Sequence, residues 1–194
     1  DISEKCLEDE SIVICSFGDA SANHSTALSA FNTASLISNQ GGHVPIVFIC
    51  EDNGLGISVP TQGNWIEENF KNRYGIEYIK SDGLNLLDLF NKTLFAEQTC
   101  RTKRHPVFLH MKTVRLMGHA GSDVELGYQS LKDLKDSENN DPLLHSSRIL
   151  IENNCLTSEE ILALYELSRN QVNHVFNNAT FRPTLKSSDE VMSS

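Results

Sequence analysis

Residues 12–58 read IVICSFGDASANHSTALSAFNTASLISNQGGHVPIVFICEDNGLGIS, and this stretch decides the fold class. Two short apolar runs, IVICSF at 12–17 and VPIVFIC at 44–50, enclose a segment in which Ala27, Phe31 and Ala34, with Leu28 and Ser35 beside them, recur at helical spacing. Apolar runs this short, bounded by Gly, Pro, Asn or Asp, read as strands. The segment between them predicts a helix over 23–39 that stops at Gly41-Gly42. A strand, a crossing helix and a second strand predict parallel neighbours, because a parallel pair needs a crossover connection.

The same grammar continues outward. IEYIK at 76–80 and VFLHMK at 107–112 supply two more strands, preceded by helices predicted over 64–73 and over 84–103, the latter carrying Leu86, Leu87, Phe90, Leu94 and Phe95. Three alternations predict an α/β fold, an open parallel sheet with helices on both faces. Residues 115–140 are polar and read as a surface loop; two helices follow. The second of these opens on Thr157 and Glu160 at capping-box spacing and carries Ile161, Leu164, Tyr165, Val172, and Val175 or Phe176 on one face. The expected organisation is an α/β domain over 1–140, C-terminal helices over 141–180 packing on that same domain, and a Ser-rich tail over 181–194 with too little apolar content to stay ordered.

Composition narrows the function classes. With 194 residues, 39% of them apolar, the chain has material for one core. Sixteen basic against 26 acidic residues, a formal charge of -10, exclude nonspecific binding to nucleic acid or an anionic membrane. Five widely spaced cysteines, an odd number, point to a reducing compartment such as the cytoplasm. Cys15 and Cys50 fall in apolar runs and are expected to pack as small hydrophobes. No apolar stretch approaches the roughly eighteen residues of a membrane helix, and the acidic start DISEKCLEDES lacks the apolar core of a signal peptide, so a soluble protein is expected. The first strand begins so near residue 1 that the chain reads as an excised fragment.

Open parallel sheets bind ligands beyond the carboxyl ends of their strands. There the sequence places Gly18-Asp19-Ala20-Ser21, Glu51-Asp52-Asn53-Gly54-Leu55-Gly56, Ser81-Asp82-Gly83, and the run Arg115 to Asp123 containing His119. All four tips are expected at one edge. Asp19 and Asn53 are hard oxygen donors on adjacent tips, and the Leu55 carbonyl completes a protein face suited to magnesium, which takes its other oxygens from water and phosphates. Ala20, Ser21 and Ala22 are small enough to present backbone N–H groups to a phosphate at the start of the helix. Taken singly, a Gly-Asp-Ala or Asp-Asn-Gly is most often a turn. Asp82-Gly83 reads as a strand-to-helix turn, and His24, His43, His105, His110, His145 and His174, which lack metal spacing, read as surface or packing residues.

Gly18-Asp19-Ala20, followed one helix and one strand later by Asp52-Asn53-Gly54-Leu55-Gly56-Ile57-Ser58, resembles the thiamine diphosphate motif of the decarboxylating component of 2-oxo acid dehydrogenase complexes, in its alpha chain or alpha half. Asn23, Asn32 and Ala34 stand where that family commonly has the same residues, HPVFLHMKTVRLMGHAGSD over 105–123 resembles its last strand and active-site loop, and DPLLHSSRILIENNCLTSEEI resembles its next two helices. The resemblance implies thiamine diphosphate and Mg2+ as cofactors. It gives Asp19, Asn53 and Leu55 the metal, Gly18, Asp19, Ala20, Ser21, Asn53, Leu55 and His119 the cofactor, and His119 the catalytic role near the substrate carboxylate, with Arg115 and Asp123 ordering the loop. It implies a 2-oxo acid substrate, pyruvate or a branched-chain acid of amino-acid catabolism, and a lipoylated acyltransferase partner in a multienzyme complex. It also implies a beta chain or beta half bringing the pyrimidine site, in a dimer or heterotetramer. Ala20 stands for a common glycine, Asp52 for a common asparagine, and Gln40-Gly41-Gly42-His43 lengthen the interval between the motifs. Transketolase-like or acetoin-cleaving enzymes share the diphosphate site, and a non-catalytic assembly domain of the same fold is the alternative of another class.

Overall fold

The four apolar runs fold as strands. The computed structural model describes residues 10–193, and the chain divides into two compact units, Asp1–Ser146 and Ser147–Ser194. In the first unit, β1 (Val13–Gly18), β2 (Ile46–Asp52), β5 (Glu77–Asp82) and β6 (Val107–Lys112) form one parallel sheet in the order β1-β2-β6-β5. A short antiparallel hairpin of β3 (Leu55–Gly56) and β4 (Val59–Pro60) follows β2. The crossover helices are α1 (Ser25–Asn39), α2 (Trp65–Phe70) and α3 (Leu86–Lys103).

The pleat sorts the strands onto two cores. Phe48, Cys50 and Phe108 face α1 and α2 through Phe31, Ala34, Ile66 and Phe70, while Val47, Val107, Leu109 and Ile79 face Ala96 and Cys100 of α3. Helices therefore cover both faces. Alternate residues of the apolar runs are claimed by different helices, which is why these runs are apolar throughout. β6 takes a central place because Val107, Phe108, Leu109 and His110 are all buried, whereas β1 lies at the edge with Val13 and Ile14 exposed. Cys15 is exposed on that edge, contrary to the expectation that it packs; Cys50 is buried, and burial pushes its thiol far up.

Phe108 is the centre of the first core. Its ring stacks on Phe70 at 4.1 Å and meets Phe17, Phe31 and Tyr78 at 5.9, 5.8 and 6.1 Å. Phe108→Ala in the full-length protein is expected to cost about 3–5 kcal/mol, the transfer of a buried ring plus the cavity it leaves, read as a lowered urea midpoint at unchanged m-value.

Two helices depart from their sequence pattern. In α3 the side chains that announced the helix remain exposed, Phe90 at 64%, and its buried contacts are the small Ala96, Thr99 and Cys100. Leu131–Asn139, inside the stretch read as a loop, forms α4 with no buried residue. Its support is local: a reciprocal capping box between Ser130 and Asp133 and a Lys132–Asp136 pair at 2.9 Å one turn apart. No apolar stripe announces such a helix.

α5 (Pro142–Glu152) spans the boundary between the units; the second unit continues with α6 (Ser158–Thr180) and α7 (Ser188–Met192). Thr157 and Glu160 form the expected capping box. Leu164, Tyr165, Val172, Val175 and Phe176 of α6 are exposed, and the Ser-rich segment after 180 contains the five-residue α7, capped by Ser187. Among the described residues no helix is long and apolar enough to cross a membrane.

Candidate diphosphate and cation site

Because β1 and β2 pair in parallel with Gly18 opposite Glu51, their tips emerge side by side. A cleft of about 710 Å³ opens there, lined by Gly18, Asp19, Ala20, Ser21, Asn53 and Leu55, and also by Asn23, His24, Gly56, Ile57, Arg115 and His119. Gly18, Asp19, Ala20, Ser21, Asn53, Leu55 and His119, all expected from the sequence, thus border one cleft, whereas Ala22 is buried and does not line it. The four tips do share one edge of the sheet, with Asp52 and Asp82 both paired to Lys112, but the tip of β5, the strand farthest from β1, does not line the cleft, a correction to the expectation of four tips at one site. Asp82 instead accepts a hydrogen bond from the Leu84 N–H before α3, and Gly83 lets the chain pass the Lys112 carbonyl, where a Cβ would lie only 2.3 Å away.

Asp19 is 2% exposed. Its one hydrogen-bond partner among the described residues is the Thr61 hydroxyl, which donates to Oδ2, and no ion pair there compensates its charge. Asn53 Oδ1 accepts the Leu55 N–H at 2.9 Å, a local turn that fixes the amide. The two motif loops touch: a Cβ on Gly56 would sit 2.8 Å from the Ala20 Cβ, so glycine at 56 permits the approach. Ile57, in the hairpin beside them, has φ 60, a left-handed conformation that costs a β-branched residue on the order of 1–2 kcal/mol.

The backbone before α1 differs from the sequence expectation. Ser21–Asn23 form a 3-10 turn, and α1 begins only at Ser25, with the His24 ring accepting the Thr26 N–H as its cap. The small residues therefore lie in a tight turn ahead of the helix rather than in its first turn. His24 is consequently a capping residue as well as a cleft residue.

On the loop, His119 is exposed and its backbone N–H donates to Asp123 Oδ2 at 2.7 Å. Arg115 and Asp123 meet through Tyr128: the guanidinium donates to the phenol oxygen at 2.8 Å and lies over its ring, and the phenol donates to Asp123 at 2.8 Å. The His119 N–H, then the Tyr128 hydroxyl, hold the Asp123 carboxyl below its usual range. Arg115 Nε is buried without a partner among the described residues.

Beneath the cleft lies a second polar group. Asp52 is buried, with Oδ2 accepting from His110 Nε2 and Lys112 Nζ, each at 2.8 Å, and Oδ1 accepting the Gly54 N–H at 3.1 Å. His110 Nδ1 is 2.6 Å from the Tyr78 hydroxyl. Burial pushes the Asp52 carboxyl up, but the bonds from His110 and Lys112 outweigh it and bring it down to about 2.

Residues 2–188 match the protein family described as Dehydrogenase E1 component. The chain belongs to that family. This E1 chain is 25% identical over 183 residues to the pyruvate dehydrogenase E1 component subunit alpha, mitochondrial, of Dictyostelium discoideum, covering 93% of the chain and 47% of the relative. It is 28% identical over 176 residues to the human mitochondrial 2-oxoisovalerate dehydrogenase subunit alpha, covering 89% of the chain and 38% of that protein. The E1 chain thus spans less than half the length of these relatives.

Three contributors to the site in this E1 chain carry no motif. Thr61 follows the hairpin and reaches Asp19; Trp65 donates its indole N–H to Asn23 Oδ1 at 2.6 Å; Tyr128 bridges the loop. Each acts through a tertiary contact between segments far apart in sequence or across a loop, so only folding reveals it.

Proposed function

We propose that this E1 chain binds the diphosphate of thiamine diphosphate through Mg2+, as part of an enzyme that decarboxylates a 2-oxo acid, pyruvate or a branched-chain acid, and reductively acylates a lipoyl group on a partner. One observation carries the reading: Asp19 is a buried carboxylate without an ion-pair partner among the described residues. Burying a lone charge is costly unless a counter-charge joins it. A divalent cation bearing an anionic diphosphate provides that counter-charge.

The donor set fits a hard cation. One carboxylate, the Asn53 amide oxygen and the Leu55 carbonyl suit magnesium, which keeps few protein ligands when phosphates supply the rest. Among the described residues no three His, Cys, Asp or Glu side chains gather as a metal cluster, consistent with a site completed by the ligand. Gly18, Ala20 and Ser21 offer backbone without bulk on the same wall, where a phosphate approaches N–H groups. Arg115, with its unpartnered Nε, adds a cationic group at that cleft.

When bound, thiamine diphosphate supplies the nucleophilic carbon and electron sink that 2-oxo acid decarboxylation needs. The residues of the chain do the rest. Asp19, Asn53 and Leu55 hold the cation; His119 donates a hydrogen bond to the substrate carboxylate and moves a proton at its imidazole during acyl transfer; Asp123, Tyr128 and Arg115 hold the loop that brings His119 to the cleft. The beta chain or half contributes the site for the pyrimidine end of the cofactor.

The test is calorimetric titration of the complete protein with thiamine diphosphate, with and without magnesium, followed by assay against a panel of 2-oxo acids with a lipoylated acceptor. Magnesium-dependent binding with lipoyl-dependent turnover is expected. Binding that ignores magnesium contradicts the site, binding without turnover assigns the fold an assembly role, and turnover independent of the lipoyl acceptor assigns the chemistry of the transketolase or acetoin-cleaving relatives.

A further inference from the structure

Asp19 and Asp52 look interchangeable in the sequence, each an acid near a strand tip, yet their surroundings differ in kind. Asp19 has no cationic partner among the described residues, whereas both Asp52 oxygens are occupied, one of them by the Lys112 ammonium at 2.8 Å. An oxygen already bonded to an ammonium is a poor ligand for a second cation. Asp52 therefore has another task.

Resting on the cation reading of the cleft, we propose that Asp52 is a positioning residue: through its bond to the Gly54 N–H it locks the turn that presents Asn53 and Leu55, and so sets the affinity for the cation. Its anchor is a polarised chain through the sheet. The ionised carboxylate only accepts, so His110 carries its proton on Nε2, leaving Nδ1 to accept from the Tyr78 hydroxyl. Tyr78 on β5, His110 on β6 and Asp52 on β2 thus tie three strands to one turn.

Beyond the turn the connection reaches the other cation ligand. Gly54, at φ +78, accepts the Thr61 N–H at 2.9 Å on its carbonyl, and the Thr61 hydroxyl donates to Asp19. Asp52 is joined by successive bonds to both halves of the ligand set. The glycine matters here because its left-handed conformation directs the chain after the bonded N–H, including the carbonyl that Thr61 reaches. His110 and Lys112 account for an aspartate where the family commonly has asparagine: an amide would serve the Gly54 N–H but give these two donors no charged acceptor.

Because an asparagine keeps the turn bond and loses the charged one, two variants separate the roles. In the full-length, assembled protein at saturating thiamine diphosphate, Asp52→Ala is expected to raise the magnesium dissociation constant about tenfold or more. Turnover at saturating metal and cofactor should stay within about threefold, since nothing that touches substrate has changed. Asp52→Asn is expected to stay within about threefold of the native affinity, although its thermal midpoint falls because His110 and Lys112 lose their charged acceptor. The proposal is overturned if Asp52→Ala binds magnesium as the native protein does, or if Asp52→Asn loses more than about threefold in affinity. Should Asp52→Ala not fold, the asparagine variant decides alone by the same threshold. A native protein that binds thiamine diphosphate without magnesium refutes the site reading itself, a result distinct from either outcome.

Discussion

Asp19→Ala is expected to raise the dissociation constant for magnesium-dependent thiamine diphosphate binding on the order of a hundredfold or more, given that loss of even an outer-shell partner costs about 10–100-fold at metal sites. Asp19 is the one charged ligand in the proposed set, and it is 2% exposed, so no solvent-borne replacement reaches its position without repacking. The stability effect has the opposite sign. In the absence of metal the variant loses a buried carboxylate that has no counter-charge among the described residues, and relief of that desolvation cost favours the folded state. The variant should therefore melt no lower than the native apoprotein, and magnesium with cofactor should no longer raise its melting temperature. Asn53→Ala acts in the same direction with a smaller loss, about tenfold, because a neutral amide oxygen is removed and its turn bond to Leu55 is local. Equal cofactor affinity in both variants and the native protein contradicts the ligand assignment.

His119→Ala separates chemistry from binding. Turnover is expected to fall by about 10²–10⁴, the range for loss of a positioned acid–base group, while cofactor affinity stays within about threefold. The loop should survive the change because its ties do not involve the imidazole: Asp123 receives the His119 backbone N–H, Tyr128 donates to Asp123, and Arg115 holds Tyr128. Asp123→Ala, by contrast, removes the acceptor common to two of these bonds and should lower turnover by loosening the loop. Single-turnover and binding measurements on the assembled enzyme tell the cases apart: a His119→Ala variant that loses cofactor binding would assign the histidine a structural part.

The fold was legible where burial on two faces leaves continuous apolar runs, as in Val107 to Leu109, and where a helix carries its buried residues at regular spacing, as Phe31 and Ala34 do. It was least legible where local and tertiary effects diverge. α3 hides alanine and cysteine and exposes Leu86, Leu87, Phe90, Leu94 and Phe95; α4 rests on a capping box and the Lys132–Asp136 pair; the β1-β2-β6-β5 order follows from relative burial of whole strands, a property no single run displays.

For the cleft, the tips of β1 and β2 and the loop after β6 were readable because motif residues stand directly at strand ends. The departure at β5 follows from its place farthest from β1, and Thr61, Trp65 and Tyr128 escaped because they contribute through hydrogen bonds that only tertiary contacts reveal. His110 looked like a packing residue and is one, buried in a central strand; what the sequence concealed is that its partners, Tyr78 and Asp52, connect the core to the cleft.

The most direct test of the cation claim is anomalous diffraction from crystals of the complete protein grown with thiamine diphosphate and Mn2+ in place of Mg2+. The account predicts one manganese peak coordinated by an Asp19 carboxylate oxygen, the Asn53 side-chain oxygen and the Leu55 carbonyl, with diphosphate oxygens completing the shell. A diphosphate held without a metal, or a manganese peak away from Asp19 and Asn53, would contradict it.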